Sequence, residues 1–285
     1  MEDHAYFSQR TGVSPDIKPL PLKELIKLFI GIYNQFKKNG YFDEAFGFHC
    51  TGNAQTPRSE KIAGKIEDVD LEIFLTIRKK DLFPVSSHAQ NYSEDDLFDV
   101  IEFLYQHVSK PIDGFFHKWH QCGQHWDTFE QESGRREYKK SINQILIHYE
   151  NRFELSENGE ILHKPEEGFE PIFKADIPSL DTNVVDRISS AILTFRRHGS
   201  SVNDRRQAVR DLADVLEYLR PKVKEFLTKK DDKDLFNIAN NFGIRHHNDN
   251  QKTSYDAVIW LSWMFYFYLS TIHVILRKMK HDKLE

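Results

Sequence analysis

The residues best suited to chemistry lie in the stretch from Asn237 to Asn250, which reads NIANNFGIRHHNDN. An arginine, two histidines and an asparagine are adjacent there: Arg245, His246, His247 and Asn248. A guanidinium can neutralise a phosphate, an imidazole can transfer protons near neutral pH, and an amide can orient a substrate. These four residues are therefore predicted to be catalytic residues that bind or cleave a phosphodiester. The alternative is a polar loop at a capped helix end.

Basic side chains are also concentrated around the junction of two predicted helices. The group comprises Arg196, Arg197, His198, Arg205, Arg206 and Arg210. Phosphates attract cationic side chains, so the five arginines are predicted to bind nucleic acid beside the Arg245 cluster. A solvated helix face without a ligand is the alternative.

A third group mixes possible metal ligands with aromatic residues in the segment DGFFHKWHQCGQHWDTF. Its possible ligands are His117, His120, Cys122 and His125, with His107 and Cys50 elsewhere in the chain. Zinc sites use four nitrogen or sulfur donors, but this spacing matches no zinc-finger pattern. His117 and His120 could share a helical face, whereas Cys122 would need a break near Gly123 to join them. The interleaved aromatic residues favour packing, with the histidines hydrogen-bonded, so no metal and no cofactor is predicted.

Composition limits the class of protein that must position these residues. The 285 residues are 29% charged and 39% hydrophobic, which is typical of a soluble globular chain. A net charge of -5 argues against a surface that is basic throughout, although it permits a local basic patch. Two cysteines make no disulfide framework, and the N-terminus does not resemble a secretory signal. A cytoplasmic location is therefore expected.

Hydrophobic periodicity predicts that helices form most of the chain. An apolar stripe from Leu22 to Phe36 ends at Gly40, and further stripes follow at 66–80, 97–108, 135–149, 184–195 and 209–219. Ser93 with Asp96 is expected to cap the third helix, and Asn203 the last of these. Pro221 is expected to kink or interrupt that last helix.

One hairpin is expected among the helices. Asn158-Gly159 separates two short runs, and this pair is typical of a type I′ turn, in which both residues have positive φ. The predicted fold is therefore predominantly all-α. It has an N-terminal helical domain at 1–163 with a small β-hairpin near 153–163, a proline-rich linker at 164–182, and a helical bundle at 183–285.

The apolar run at 257–276 can be interpreted in two ways. It is long enough to cross a bilayer, and His273 is its only strongly polar residue. Its tryptophans and tyrosines lie through the middle, whereas membrane spans place them at the interfaces. The run is therefore predicted as a central buried helix, and a C-terminal membrane anchor is the alternative.

The arrangement from Asn183 to Lys280 resembles the HEPN superfamily, which forms four- or five-helix bundles in prokaryotic toxins and abortive-infection proteins. The resemblance rests on a helix pair, a third helix ending in the Arg-His cluster, and a long apolar last helix. It implies a metal-independent ribonuclease site formed by two protomers around the motif R-x4-6-H. Arg245 matches the arginine, and His246 matches the polar residue that follows it.

The second half of that motif is absent. Asn250, Gln251 and Lys252 occupy the positions five to seven residues after Arg245, so no histidine stands there. Either His247 supplies the imidazole in an altered geometry, or the domain does not cleave RNA.

The N-terminal portion resembles the amino-terminal module of the AbiJ group of abortive-infection proteins. The residues that carry this resemblance are YFSQRTG at Tyr6 to Gly12 and ENRFELSENGEIL at Glu150 to Leu162. The two resemblances together imply a prokaryotic antiviral defence protein, in which a sensing or regulatory module is fused to a toxin-like, RNA-directed effector. A non-catalytic helical module that binds a nucleotide, RNA or a protein is the alternative. A homodimer through the C-terminal domain is also expected.

Overall fold

The computed structural model describes residues 19–52, 59–149, 152–166, 168–179, 181–226, 228, 230, 233–237 and 256–282. Over these residues the chain is predominantly α-helical, with only short antiparallel strand pairs, which confirms the predicted fold class. The chain divides into two compact units, Met1–Ile161 and Leu162–Glu285.

The described part of the N-terminal unit contains long and short helices. They are α1 (Leu22–Lys38), α2 (Asp43–Phe46), α3 (Val69–Ile77), α4 (Val85–His88), α5 (Glu94–His107) and α6 (Gln131–Leu146). The capping box predicted at Ser93 and Asp96 begins α5. Helix α3 is shorter than predicted, because Asp68 caps its start and Arg78 turns into the left-handed region at its end, with φ 64°.

Two strand pairs in this unit have no counterpart in the sequence prediction. Strand β1 (Phe48–Cys50) pairs antiparallel with β2 (Glu60–Ile62), and β3 (Lys110–His117) pairs antiparallel with β4 (Gly123–Glu130). The helical face considered for His117 and His120 was therefore wrong. No Asn-Gly pair marks the β3–β4 turn. His120 and Gln121 form it instead, with φ 45° and 53°, a conformation that side-chain-bearing residues rarely adopt.

The predicted hairpin is present, with a different turn. Strands β5 (Phe153–Leu155) and β6 (Ile161–His163) pair, and Gly159 has φ 83°, but Asn158 is not among the residues with positive φ. The Gly159 amide donates to Ser156 O at 3.1 Å, and the Ser156 amide donates to Glu160 O at 2.9 Å. This is the longer hairpin loop in which a turn precedes a left-handed glycine, so the type I′ assignment was wrong.

A single aromatic-rich core holds the helices of the N-terminal unit together. Tyr138 of α6 is fully buried, with the rings of Phe36 and Phe42 at centroid distances of 5.4 and 6.3 Å in edge-on contact. Leu25 of α1 and Leu104 of α5 are also completely buried. The phenylalanine excess of the sequence is therefore used in part to fill this core.

The C-terminal unit is built from helices that share a second core. They are α7 (Glu170–Lys174), α8 (Thr182–Arg196), α9 (Val202–Phe226) and α10 (Ala257–His281), and residues 233–237 are also helical. Helix α9 packs against both α8 and α10, and it continues past Pro221. The segment predicted as a linker belongs to this unit, because Ile172, Phe173 and Ile177 pack against its core.

Helix α10 is buried along one face and exposed along another. Leu261, Phe265 and Leu269 are fully buried, whereas Ile259 and Trp263 are exposed. Among the helices that the structure describes, it alone is long and apolar enough to cross a membrane, and 56% of its most apolar stretch is buried inside the chain. The core helix of a soluble protein has the same length and composition.

Candidate functional sites

The predicted catalytic residues Arg245, His246, His247 and Asn248 lie outside the described residues. The structure does describe the chain on both sides of them. Leu235 and Phe236, which precede the cluster, are buried in the core of the C-terminal unit. Asp256, which follows it, caps α10 by accepting hydrogen bonds from the amides of Val258 and Ile259 at 3.1 and 3.2 Å.

The five predicted nucleic-acid-binding arginines differ in exposure. Arg196 is buried: its Nε donates to His163 O at 2.9 Å, and its guanidinium lies 5.0 Å from the centroid of the Phe173 ring. Such a side chain contributes to packing within the unit. Its burial leaves little of the guanidinium accessible to a phosphate.

The other four arginines lie nearer the surface. Arg205 is half-buried over the Phe195 ring at 5.6 Å, and Arg206, also half-buried, donates to Asn203 Oδ1 at 2.8 Å. Arg197 and Arg210 are exposed. Of the five, these two are the best placed to meet a ligand from solvent.

Four possible metal ligands come together in the N-terminal unit: Cys50, His117, Cys122 and His125. Their ligand atoms all lie within 4.8 Å of one another. Three of them belong to the histidine-cysteine segment noted in the sequence. The fourth is Cys50, distant in sequence, whereas His120 is exposed and is not part of the group.

Strand ends and one tight turn position these four side chains. Cys50 ends β1, His117 ends β3, and His125 lies on β4 opposite Phe115. The turn between β3 and β4 is closed by the Cys122 amide, which donates to Trp119 O at 3.0 Å. The β3–β4 pairing therefore sets three of the donors, and the end of β1 adds the fourth.

Short contacts link the sulfur and nitrogen atoms of the group. Cys122 Sγ lies 3.2 Å from His125 Nε2, and Cys50 Sγ lies 3.7 Å from His117 Nδ1. The backbone amides also face the sulfurs: the Gly52 amide donates to Cys50 Sγ and the Thr51 amide to Cys122 Sγ, both at 3.3 Å. Each sulfur is thus held by a backbone donor as well as by an imidazole.

The surroundings of Cys122 favour its thiolate form. Partial burial acts to raise the pKa of this thiol, but the hydrogen bonds from Thr51, His125 and His117 lower it more, to about 6. At neutral pH the sulfur is therefore largely a thiolate, the form that binds metal ions.

Aromatic residues shield one side of the group. The rings of Phe48 and Phe115 lie 4.7 and 5.2 Å from the His125 ring, centroid to centroid. Cys50 and His125 are only 7% and 8% exposed, whereas His117 and Cys122 are half-buried. Of the interleaved aromatic residues that argued for packing in the sequence, Phe115 thus lies against a possible ligand.

The sequence analysis named Cys50 as a possible ligand elsewhere in the chain but did not connect it with this group. The available signal was a glycine close behind each cysteine, Gly52 and Gly123, both with positive φ in the structure. Such glycines permit the tight turns that aim backbone amides at a sulfur. Nothing in the spacing, however, connects Cys50 to a segment more than sixty residues later.

No known family, curated protein or solved structure matches this chain in sequence or fold comparisons.

Proposed function

We propose that this chain is a prokaryotic defence protein of the abortive-infection kind that acts on or binds RNA through its C-terminal unit in the cytoplasm. One observation carries the proposal: Arg245 to Asn248 are bracketed by two helical segments whose buried residues share one core. Leu235 and Phe236 precede the cluster in the chain, and Leu261 of α10 follows it; all three are buried. This order of elements is the one that the HEPN resemblance implies.

The distribution of charge supports the same proposal. Residues 162–285 contain 20 Lys and Arg against 18 Asp and Glu, whereas residues 1–161 contain 19 against 26. The negative charge of the chain is therefore concentrated in the N-terminal unit. A polyanion such as RNA is repelled less by the C-terminal unit, where Arg197 and Arg210 are exposed.

The proposed chemistry needs no metal ion. The ribose 2′-oxygen bonds to phosphorus as the bond from phosphorus to the 5′-oxygen breaks. Arg245 neutralises the scissile phosphate, His247 or His246 removes the proton of the 2′-hydroxyl or protonates the leaving 5′-oxygen, and Asn248 orients these groups. Acid–base chemistry of this kind contributes about 100- to 10,000-fold to a rate. The guanidinium adds electrostatic stabilisation of the phosphate charge that develops in the transition state.

A non-catalytic function is the second candidate, and a specific observation favours it. No histidine follows Arg245 at the fifth to seventh positions, where the motif of active HEPN domains has one. In this case the same surface binds RNA, a nucleotide or a protein without cleaving it.

The decisive experiment incubates the purified full-length chain with total RNA, in the presence of excess chelator and separately with added Mg²⁺. The proposed ribonuclease cleaves RNA under both conditions, and Arg245→Ala or His247→Ala reduces the rate at least about 100-fold. Lys222→Ala serves as the matched control, since Lys222 is an exposed cation on α9 that is paired with Glu225.

Binding measurements separate the two candidates. In a filter-binding assay, a non-catalytic module binds RNA but does not cleave it. Arg197→Ala or Arg210→Ala should then make the slope of log affinity against log salt shallower by about 0.7 for each phosphate that is no longer neutralised. If the wild-type chain neither cleaves nor binds RNA under any of these conditions, the RNA-directed function is wrong.

A further inference from the structure

We propose that Cys50, His117, Cys122 and His125 form a tetrahedral site for one Zn²⁺ ion in the N-terminal unit. This inference is independent of the proposed RNA-directed function, which concerns the C-terminal unit. It rests on the convergence of two thiol and two imidazole side chains, whose ligand atoms all lie within 4.8 Å of one another.

The distances between donors fit a four-coordinate zinc ion. Zinc bonds of about 2.3 Å to sulfur and about 2.0–2.1 Å to nitrogen, at tetrahedral angles, place pairs of donors about 3.3–3.8 Å apart. The Cys122–His125 and Cys50–His117 contacts, at 3.2 and 3.7 Å, lie close to this range. Donors at the outer limit of 4.8 Å need to approach by about an ångström, which side-chain rotation can supply.

The backbone around the cysteines is already arranged for bound thiolates. The amides of Gly52 and Thr51 donate to the two sulfurs at 3.3 Å, which compensates negative charge on them. The Thr51 hydroxyl also donates to Trp119 O at 2.8 Å and so ties the end of β1 to the β3–β4 turn. These bonds hold the two cysteine-bearing segments side by side.

The donor set selects zinc over other common ions. Ca²⁺ and Mg²⁺ prefer oxygen ligands, whereas two thiolates with two imidazoles are a usual zinc set. A Rieske iron–sulfur cluster also uses two cysteines and two histidines, but it holds them on different irons and so needs wider sulfur–nitrogen spacing than the 3.2 and 3.7 Å found here. Four protein ligands also leave no open position for a substrate. With Cys50 and His125 buried, the geometry points to a structural ion.

The ion would join the β1–β2 pair to the β3–β4 pair. The β1–β2 and β3–β4 pairs are two-stranded, and isolated two-stranded sheets are marginally stable. Cys50 and His117 are 67 residues apart, so a shared ion closes a long loop. Because the four ligands come together only in the folded chain, the free energy of zinc binding stabilises the folded state.

The test measures the metal content of the full-length chain, purified without added metal, by elemental mass spectrometry. About one zinc per chain is expected. Cys50→Ser, Cys122→Ser and His125→Gln each replace one proposed ligand. Mutating a residue that only hydrogen-bonds to a zinc ligand weakens affinity roughly 10- to 100-fold, so each of these three variants should weaken it by more. The matched control is His120→Ala, which removes an exposed histidine from the same turn and should keep one zinc per chain.

A second measurement uses the wild-type protein, so that the proposal is still tested if the variants fail to fold. Wild-type apo-protein titrated with Co²⁺ should give the intense visible absorption of a tetrahedral site with thiolate ligands, saturating at one equivalent. Absence of zinc together with absence of this spectrum overturns the proposal. So does an intact mass showing a Cys50–Cys122 disulfide in the freshly purified protein, or a His120→Ala variant that loses zinc as completely as Cys122→Ser.

Discussion

His273 on α10 is 5% exposed, and neither of its ring nitrogens has a hydrogen-bond partner among the residues that the structure describes. Burial lowers the pKa of this imidazole, and the nearby charge of Arg277 lowers it further. A buried polar group without a partner costs about 1–3 kcal/mol. The sequence marked His273 as the one strongly polar residue of an apolar helix, and the fold leaves it buried.

The lowered pKa of His273 predicts a loss of stability in acid. The folded-state pKa lies below the unfolded value of about 6.5. As the pH falls through about 6.5, the unfolded chain therefore binds more protons than the folded chain does. The free energy of unfolding should therefore decrease between about pH 7.5 and about pH 5.5. His273→Leu should make this decrease smaller and raise stability at the higher pH by about 1 kcal/mol.

Urea unfolding at the two pH values measures this effect. His281→Gln is the control, because His281 lies on the same helix with its side chain 64% exposed, so its replacement should not raise stability at the higher pH. If His273→Leu lowers stability equally at both pH values, the imidazole is a packing group and the titration argument is wrong.

At the scale of the element, the start of α9 shows how a helix boundary is chosen. The sequence predicted Asn203 as the cap, but Ser201 and Asp204 form a reciprocal capping box. The Asp204 amide donates to Ser201 Oγ at 3.2 Å, and the Ser201 amide donates to Asp204 Oδ2 at 2.9 Å. The Asn203 side chain instead accepts a hydrogen bond from Arg206.

This difference predicts the outcome of two alanine substitutions. Ser201→Ala should cost about 1 kcal/mol of unfolding free energy, because it leaves a helix-terminal amide without its acceptor. Asn203→Ala should cost less than about 0.5 kcal/mol, as is usual for an exposed surface residue. Thermal unfolding followed by circular dichroism at 222 nm, roughly the helical minimum, compares the two variants. Equal losses would show that Ser201 is not the residue that caps α9.

At the scale of the whole molecule, α10 leaves apolar residues on the surface. Ile259 and Val274 are 64% and 67% exposed, and Trp263 is 41% exposed. Exposed apolar area of this kind is typical of interfaces. The HEPN resemblance implies pairing through this domain, and pairing would bring two Arg245 clusters into one basic cleft.

We therefore predict a homodimer that forms through α10 in detergent-free buffer. Ile259→Glu should weaken the dimer about 10- to 100-fold, because it removes an isoleucine whose burial in the interface contributes roughly 1.5–3 kcal/mol. Ile147→Glu is the matched control, since Ile147 is 57% exposed on the N-terminal unit. Light scattering at micromolar concentration measures the mass. A wild-type monomer, or a dimer that Ile259→Glu leaves intact, would contradict the prediction.

Features that depend on neighbours along the chain could be predicted from the amino-acid sequence. Apolar periodicity located the long helices, Ser93 and Asp96 marked the start of α5, and Asn158-Gly159 marked the β5–β6 hairpin. These signals are local, because helix faces and caps are set by residues three or four positions apart. The predominantly helical class followed from them directly.

Contacts between residues that are distant in the chain could not be predicted in this way, because they depend on how the elements pack. The segment predicted as packed aromatic residues forms the β3–β4 strand pair. The end of β1 brings Cys50 close to His117, Cys122 and His125. In the C-terminal unit, contacts with His163 and Phe173 buried Arg196, which the sequence placed among surface arginines. Contacts between residues far apart in the chain leave no periodic signal, since their geometry depends on how complete elements pack against one another.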